Sequence, residues 1–289
     1  MAERIRIGNA EIAVATDAEF HYAPLSFIPK GGDRWRQYLG GADPAEIIES
    51  RVMTFVIRSQ GKTILVDTGV GAHGFWRWGD GHLLDSLKEL DLTPEDIDFV
   101  LPTHLHLDHV GWNTRPDPDG QPIPTFTKAR YLFQQADWDL FTSPAILERT
   151  GSPLNENTAR MMKAAVLPLK DTGLMDLIGP ERVLTDEVTL LHTPGHTPGS
   201  VTVLVQSGSQ AAMLIGDAAH HPAQLTEQDW TPGIDIDPSL SERSRKAVVD
   251  QAQRLGAVIA GAHFNAPPDP AFGSIVVIDG RPVWRGVTL

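Results

Sequence analysis

Four apolar segments of this chain each run straight into a carboxylate or an imidazole: "TILVDTG" (Thr63 to Gly69), "FVLPTHLHLDHVG" (Phe99 to Gly111), "AMLIGDA" (Ala212 to Ala218) and "AVIAGAHF" (Ala257 to Phe264). A short, unbroken apolar run flanked by glycine and proline reads as a strand buried on both faces. Strand groups with interleaved helices recur in both halves, which suggests two sheets packed face to face with helices outside. The first and third segments are similar units, each an apolar strand ending in aspartate. The expected architecture is therefore one domain, spanning 1–289, built from two related halves, with polar residues collected where strands run out into loops.

The rest of the chain fits this frame. "IRIGN" and "EIAVAT" read as a strand pair around Gly8-Asn9, and "RVMTFVIRS" and "KTILVDTG" as a hairpin turning at Gln60-Gly61. "HLLDSLKELDL", "ENTARMMKAAVLPL" and "SLSERSRKAVVDQAQRLG" read as helices, and "ARYLFQQADWDLF" as a strand entering a short helix. "EVTLLH", "SVTVLVQSG" and the closing hairpin "GSIVVIDGRPVWRG" supply further strands. Residues 17–50, rich in Pro, Gly and aromatics, are too long for an ordinary connection and read as an irregular N-terminal arm, either an ordered functional loop or an arm on a partner subunit.

Composition excludes several functions. With no cysteine, disulfides, thiolate nucleophiles and cysteine-containing metal sites are impossible. A net charge of −13 disfavours nucleic acid, and the short "RSRK" at Arg243 to Lys246 reads as a solvated helix face. No apolar run is long enough to span a membrane, and "MAERIRIGNAEIAVATDAEF" lacks the apolar core of a secretory signal, so no membrane partner and a cytoplasmic location are expected.

The chemistry concentrates in "HLHLDH", which spends three of eleven histidines in six positions. In an extended chain His104, His106 and Asp108 share one face while Leu105 and Leu107 anchor the other. His109 breaks the alternation, so the chain must turn there, and Gly111 makes a sharp turn easy. Imidazole and carboxylate are ligands for zinc, iron, manganese and similar ions, and four of them in six positions suggest two ions side by side. The later candidates are His196 between two Pro-Gly turns in "TPGHTPGS", Asp217 at the end of "AMLIGD", and His263 at the end of "AVIAGAH". A carboxylate buried like Asp217 would be costly without a cation.

This order of motifs, from about Val52 to Phe264, resembles the metallo-β-lactamase superfamily. The resemblance implies an α/β fold, a four-layer αββα sandwich, with two divalent ions at one edge: zinc foremost, with Mn, Fe or Co compatible. It implies that His104, His106 and His196 hold the first ion, that Asp108, His109 and His263 hold the second, and that Asp217 bridges them. Asp67 in "VDTG" corresponds to the aspartate that orients a ligand histidine. Within the superfamily, the missing cysteine excludes the cysteine-ligand β-lactamases, and Asp217 departs from the other dinuclear ones. Only a hairpin-like stretch follows His263, unlike the helical, basic region of glyoxalase II. No flavodoxin module is present, and charge disfavours the nucleases.

The stretches "HLHLDHVGWN", "RYLFQQADWDLF" and "GDAAHHPAQL" are most similar to the N-acyl-homoserine lactonases and methyl parathion hydrolase-like enzymes. That implies opening of a lactone or related ester by a hydroxide between the ions, with Asp108 as proton carrier. His220 stands where these lactonases often have a tyrosine, and is the candidate for stabilising the oxyanion; His221 is its rival. Phe75, Trp76 and Trp78, with the segment around Phe20, Tyr22 and Phe27, are the expected wall for the apolar part of a small-molecule substrate, or else an interface; a homodimer through the arm is compatible. Aryl-ester or organophosphate hydrolysis on the same site is one alternative. An iron-dependent persulfide dioxygenase-like oxidoreductase is the other, and it would leave His109 and Asp217 without a role.

Overall fold

The computed structural model describes residues 3–179, 181–264 and 270–287. The strands are β1 (Arg4–Ile7), β2 (Ala10–Tyr22), β3 (Ile48–Ser59), β4 (Lys62–Val66), β5 (Phe99–Leu101), the small ribbon β6 (Thr114–Pro116) and β7 (Pro122–Pro124), β8 (Arg130–Gln134) and β9 (Met175–Ile178). In the second half they are β10 (Arg182–Thr185), β11 (Val188–His192), β12 (Val201–Ser207), β13 (Gln210–Leu214), β14 (Val258–Ala260), β15 (Gly273–Ile278) and β16 (Arg281–Gly286). Two seven-stranded sheets result, ordered β1-β2-β3-β4-β5-β8-β9 and β10-β11-β12-β13-β14-β15-β16.

The two sheets repeat one plan. Hairpins make β2, β3 and β4 antiparallel, and β4 then pairs in parallel with β5. Likewise β11, β12 and β13 are antiparallel, and β13 then pairs in parallel with β14. The β3–β4 turn works because Gln60 and Gly61 both adopt positive φ, 51° and 73°, which matches strand twist.

The expected sandwich is what forms, because residues alternate between two buried faces. Met53, Phe55, Ile57, Ile64 and Val66 meet Val188, Leu190, Val203, Val205 and Met213 of the other sheet in one core. Val56, Leu65 and Val100 point the other way, onto Leu83 and Leu87 of the helix Leu83–Glu89. The helix Pro238–Leu255 covers the second sheet with Val248, Val249 and Ala252. Among the described residues no helix is long and apolar enough to cross a membrane.

The arm differs from its sequence reading at both ends. Strand β2 continues through Tyr22 and pairs as far as Tyr22 with Ile48 of β3, so only 23–47 is irregular. The alternation is interrupted because a bulge between Thr16 and Ala18 takes Asp17 out of the ladder. Its carboxylate then accepts hydrogen bonds from Val70 N, Leu83 N and Trp112 Nε1 at 2.6 to 2.8 Å. Beyond it lie the helical turn Pro24–Phe27 and a 3-10 stretch Pro29–Gln37, packed through Ile28 and Trp35 on Trp230.

The basic run "RSRK" is also corrected. Arg243 and Lys246 are exposed, but Arg245 is wholly buried. The helix turns it inward with Ser241, Val248 and Val249, where backbone carbonyls rather than water satisfy the guanidinium.

Candidate metal centre

The C-terminal ends of the two parallel pairs lie together. Asp67 follows β4, the 102–110 loop follows β5, Asp217 follows β13 and His263 follows β14. Hydrogen bonds join the sheets at this edge: Val201 N to Thr103 O at 3.0 Å, Met53 N to Ala262 O at 2.9 Å, and Ser50 Oγ to His263 O. His196 arrives from the β11–β12 loop. Ligands of open α/β sheets collect at this kind of edge, where carbonyl ends of parallel strands leave room for loops.

The 102–110 loop is not the extended strand expected from its alternation. It coils through turns, with His109 N donating to His106 O at 3.1 Å. Buried carboxylates take up its backbone: Asp67 accepts from Thr103 N at 2.6 Å and Asp137 from Leu105 N at 3.0 Å. Leu105 and Leu107 are still buried, but His104 and His106 are directed to one group of side chains and Asp108 to another. Gly111 matters through close approach rather than a strained turn, since a Cβ there would lie 2.0 Å from the Val70 carbonyl carbon.

Two constellations can each hold a cation: His104, His106, His196 and Asp217; and Asp108, His109 and His263. In the first, His106 Nδ1 lies 3.0 Å from His104 Nε2 and 2.9 Å from His196 Nε2. Asp217 Oδ2 is 3.3 Å from His196 Nε2 and 3.7 Å from His104 Nε2. In the second, His263 Nε2 is 3.4 Å from Asp108 Oδ2, and His109 Nε2 is 3.9 Å from Asp108 Oδ1. The other Asp217 oxygen, Oδ1, faces this group, 3.5 Å from His109 Nε2 and 3.4 Å from His263 Nε2.

The donor set fits divalent cations. Ligand bonds of about 2.0–2.1 Å in a tetrahedron put ligand atoms roughly 3.3 Å apart, close to the spacings here. Three imidazole nitrogens that converge on one point cannot all be satisfied by sharing protons. Asp217 Oδ1 and His109 Nε2 are buried without a well-directed hydrogen bond, which a cation between them would relieve.

The far side of four of the five rings has a partner. Nδ1 of His104 is 3.1 Å from Thr103 Oγ1, of His109 3.0 Å from Asp67 Oδ2, of His196 2.8 Å from Asp235 Oδ1, and of His263 3.1 Å from Arg51 O. Four rings therefore offer Nε2 and only His106 offers Nδ1. Of these partners only Asp67 was foreseen. Asp235 gave no local signal, because it sits 39 residues from His196 in an irregular loop. Asp137 was missed likewise; besides Leu105 N, it accepts from Thr197 Oγ1 at 2.9 Å and Gly199 N at 2.6 Å, clamping the two histidine loops together.

Burial and mutual repulsion push the centre's titrations apart. Desolvation, then the neighbouring His109 or His196, holds His104 and His106 well below the usual imidazole range. Burial also opposes charge on His109, but Asp67, Asp217 and Asp108 outweigh it and hold that ring well above the range. For His196 burial is outweighed by hydrogen bonds to Asp217 and Asp235, which lift it to about 9. Burial would raise Asp217, yet His263, His220, His109 and His104 hold it well below the carboxylate range. Asp217 is thus held as a buried anion, while His104 and His106 keep neutral rings beside it.

The candidate substrate contacts divide. His220 is buried with Nε2 3.0 Å from Asp217 Oδ2, and its ring stacks on that of His263 with centroids 5.6 Å apart. His221 turns away: its Nδ1 accepts from Ala223 N at 3.0 Å and its ring packs on Trp35. Phe27 lies edge-on to His220 at 5.0 Å, and Phe20, from the same expected segment, packs on His263 at 5.1 Å. Trp76 and Trp78 both meet Phe20. Phe75 does not join them; Asn157 Nδ2 holds its carbonyl at 2.9 Å, and its ring lies between His73 and Arg160. The Asp108 side chain is 15 % exposed and His106 is part-exposed, whereas the side chains of Asp217 and the neighbouring buried imidazoles are 3 % or less, so the centre opens between Asp108 and His106.

The sequence model of the Metallo-beta-lactamase superfamily matches residues 48–115. The chain is 24 % identical over 237 residues to an N-acyl homoserine lactonase of Bacillus thuringiensis, covering 76 % of this chain and 84 % of that one. It is 23 % identical over 220 residues to an N-acyl homoserine lactonase of a Bacillus species, covering 70 % and 77 %. Among solved structures, the hydrolase AbOPH of the β-lactamase superfamily superposes with a TM-score of 0.83 at 20 % identity, over 100 % of this chain and 98 % of that one. AidC, a dizinc quorum-quenching lactonase with a bound N-hexanoyl homoserine product, superposes at 0.81 and 22 % identity over the same shares. The resemblance in the motifs is thus matched by the whole backbone.

Proposed function

We propose that this chain, which has the metallo-β-lactamase fold, is a two-metal hydrolase that opens N-acyl-homoserine lactones or closely related esters. The observation that carries the reading is the Asp217 carboxylate, which presents Oδ2 to one histidine group and Oδ1 to the other. His104, His106 and His196 would hold one divalent ion, Asp108, His109 and His263 the second, with Asp217 between them and zinc the first choice of metal. Bound there, the ions supply Lewis acidity to the carbonyl under attack and lower the pKa of water toward about 7.

The protein's own groups do the rest. Asp108, beside the opening, accepts the proton of the attacking water at Oδ1, the oxygen farther from a histidine, and returns it to the leaving alkoxide. In a lactone that alkoxide stays tethered. His220, kept neutral by burial, offers Nε2–H to the oxygen that gains charge. Phe20, Phe27, Trp76 and Trp78 exclude water from the His263 side and offer an apolar wall to an acyl chain. The second histidine group argues against a mononuclear-iron oxidoreductase, which would leave Asp108, His109 and His263 idle.

The test is acid release in a pH-stat from a long-chain N-acyl-homoserine lactone, with zinc- or manganese-loaded protein and a His106→Ala control. Metal-dependent release abolished in the control is the expected result. No release above the control would overturn the homoserine-lactone assignment, and release from aryl esters or phosphotriesters instead would move the substrate to those classes.

A further inference from the structure

The proposed mechanism uses His196 but leaves unexplained a buried anion and cation behind it. Asp235 is fully enclosed; Oδ1 lies 2.8 Å from His196 Nδ1, and Oδ2 has no well-directed hydrogen bond. The nearest cation to Oδ2 is the Arg245 guanidinium, 3.8 Å away and also fully enclosed. Two buried charges at that spacing are expensive to desolvate, and a structure keeps them only where other bonds compensate.

Arg245 has those bonds. Nε donates to Ala218 O at 2.6 Å, Nη1 to Gln228 O at 2.7 Å and Trp230 O at 2.8 Å, and Nη2 to Ser241 Oγ at 3.3 Å. Ala218 directly follows Asp217, so one guanidinium reaches the backbone beside the shared carboxylate and the anion behind His196. The main chain around Asp235 is tied to the same loop, with Ile236 N donating to His196 O at 3.2 Å and Asp237 N to Gly195 O at 2.9 Å. Gly195 is required there: its φ is 133°, and a Cβ would lie 2.1 Å from Ser241 N.

We propose that Asp235 and Arg245 are positioning residues for the first cation site, Asp235 fixing His196 as the Nδ1–H tautomer so that its Nε2 lone pair faces the ion. Arg245 sets the carboxylate's orientation and, through Ala218, the position of Asp217. The inference rests on the two-ion reading above. It accounts for a buried pair that adds nothing obvious to packing, since a carboxylate acceptor held in place from behind fixes the proton on Nδ1. An amide at 235 would direct its carbonyl to Arg245 and its NH2 to His196, which selects the opposite tautomer and blocks Nε2.

The test uses the full chain loaded with zinc. Chelator competition on wild type and Asp235→Asn, followed by the visible absorption of cobalt-substituted protein, reads each site without reference to turnover. The expected result is two ions in wild type, with about 10–100-fold weaker binding of one ion in Asp235→Asn and the other retained. Arg245→Lys, which keeps the charge but loses the fork, should weaken the same ion. Long-range 1H–15N correlation on zinc-loaded wild type should show a His196 Nδ1–H proton shifted well downfield by its carboxylate acceptor, and this reads the Asp235 contact even if the variants fail to fold. Wild-type affinities for both ions in Asp235→Asn, or a His196 Nδ1–H at the ordinary imidazole position, would overturn the proposal alone. Fewer than two ions in wild type would overturn the two-ion reading together with it.

Discussion

Asp67 adopts φ of 63°, in the left-handed region where Asp and Asn are the side chains best tolerated after glycine. That makes Asp67→Asn a clean probe, because the backbone is kept while one carboxylate oxygen becomes an NH2. The oxygen bound by Thr103 N can be preserved, and the one facing His109 Nδ1 is lost. The variant is expected to bind the ion of the Asp108, His109, His263 group about 10–100-fold more weakly, and to lose metal-free stability as well, since Asp67 leads the carboxylates that keep buried His109 charged. Chelator competition beside thermal melting measures both; equal affinity for both ions would remove Asp67 from its orienting role. At this scale the sequence was most legible. The ligand-type residues could be seen because imidazole and carboxylate at the ends of apolar strands have few purely structural uses. Asp137, Asp235 and Arg245 could not be seen, because a charge looks solvated until its surroundings are known.

Among the elements, the arm was the least legible. The bulge at Asp17 hid the continuation of β2, and the aromatic residues had no periodicity to place them. In the fold the arm is pinned through Glu227, which is buried and accepts from Arg34 Nη1 at 3.0 Å, Tyr38 Oη at 2.9 Å and Arg281 Nη2 at 2.7 Å. One carboxylate thus ties the 3-10 stretch to β16 from the loop after the helical turn Ala223–Thr226. Glu227→Ala should free the arm, leaving two arginines and a phenol without their common acceptor. Faster limited proteolysis within 29–47 is expected, together with a higher KM for long-chain substrates at unchanged metal content. Cleavage at the wild-type rate would show that the Trp35 and Trp230 packing holds the arm without Glu227.

For the whole molecule, the two groups with opposed buried titrations give a pH test. Burial pushes His221 down to about 4, so between its ordinary value near 6.5 and that point the unfolded chain takes up a proton that the fold refuses. Its neutral form therefore loses stability as pH falls through that window, by up to about 3 kcal/mol. Burial raises Asp17 to about 6, against the hydrogen bonds from Val70, Leu83 and Trp112 that favour its anion. There the fold holds a proton the unfolded chain has released, so stability rises as pH falls from about 6 toward 3.8, nearly offsetting His221. His221→Asn keeps an acceptor for Ala223 N–H and removes one side of the balance. Relative to wild type, the metal-free variant should gain stability on going from pH 7 to pH 4, as read by denaturant unfolding. A pH-independent difference between the two proteins would show that His221 is not held neutral.

By itself the sequence determined the strand-rich halves, the sandwich and the identity of the converging imidazoles and carboxylates. Those follow from local alternation, from turn residues such as Gln60 and Gly61, and from chemistry carried by residue type. Only the tertiary structure decided which side chain joins which group, and that the histidine loop is coiled rather than extended. It likewise decided that Phe75 leaves the aromatic wall while Phe20 and Phe27 stay in it, and that Arg245 turns inward behind the histidine loops. Those outcomes depend on contacts between residues far apart in the chain. His196 meets Asp235 across 39 residues and His106 across 90, and no local pattern carries information about a partner that distant.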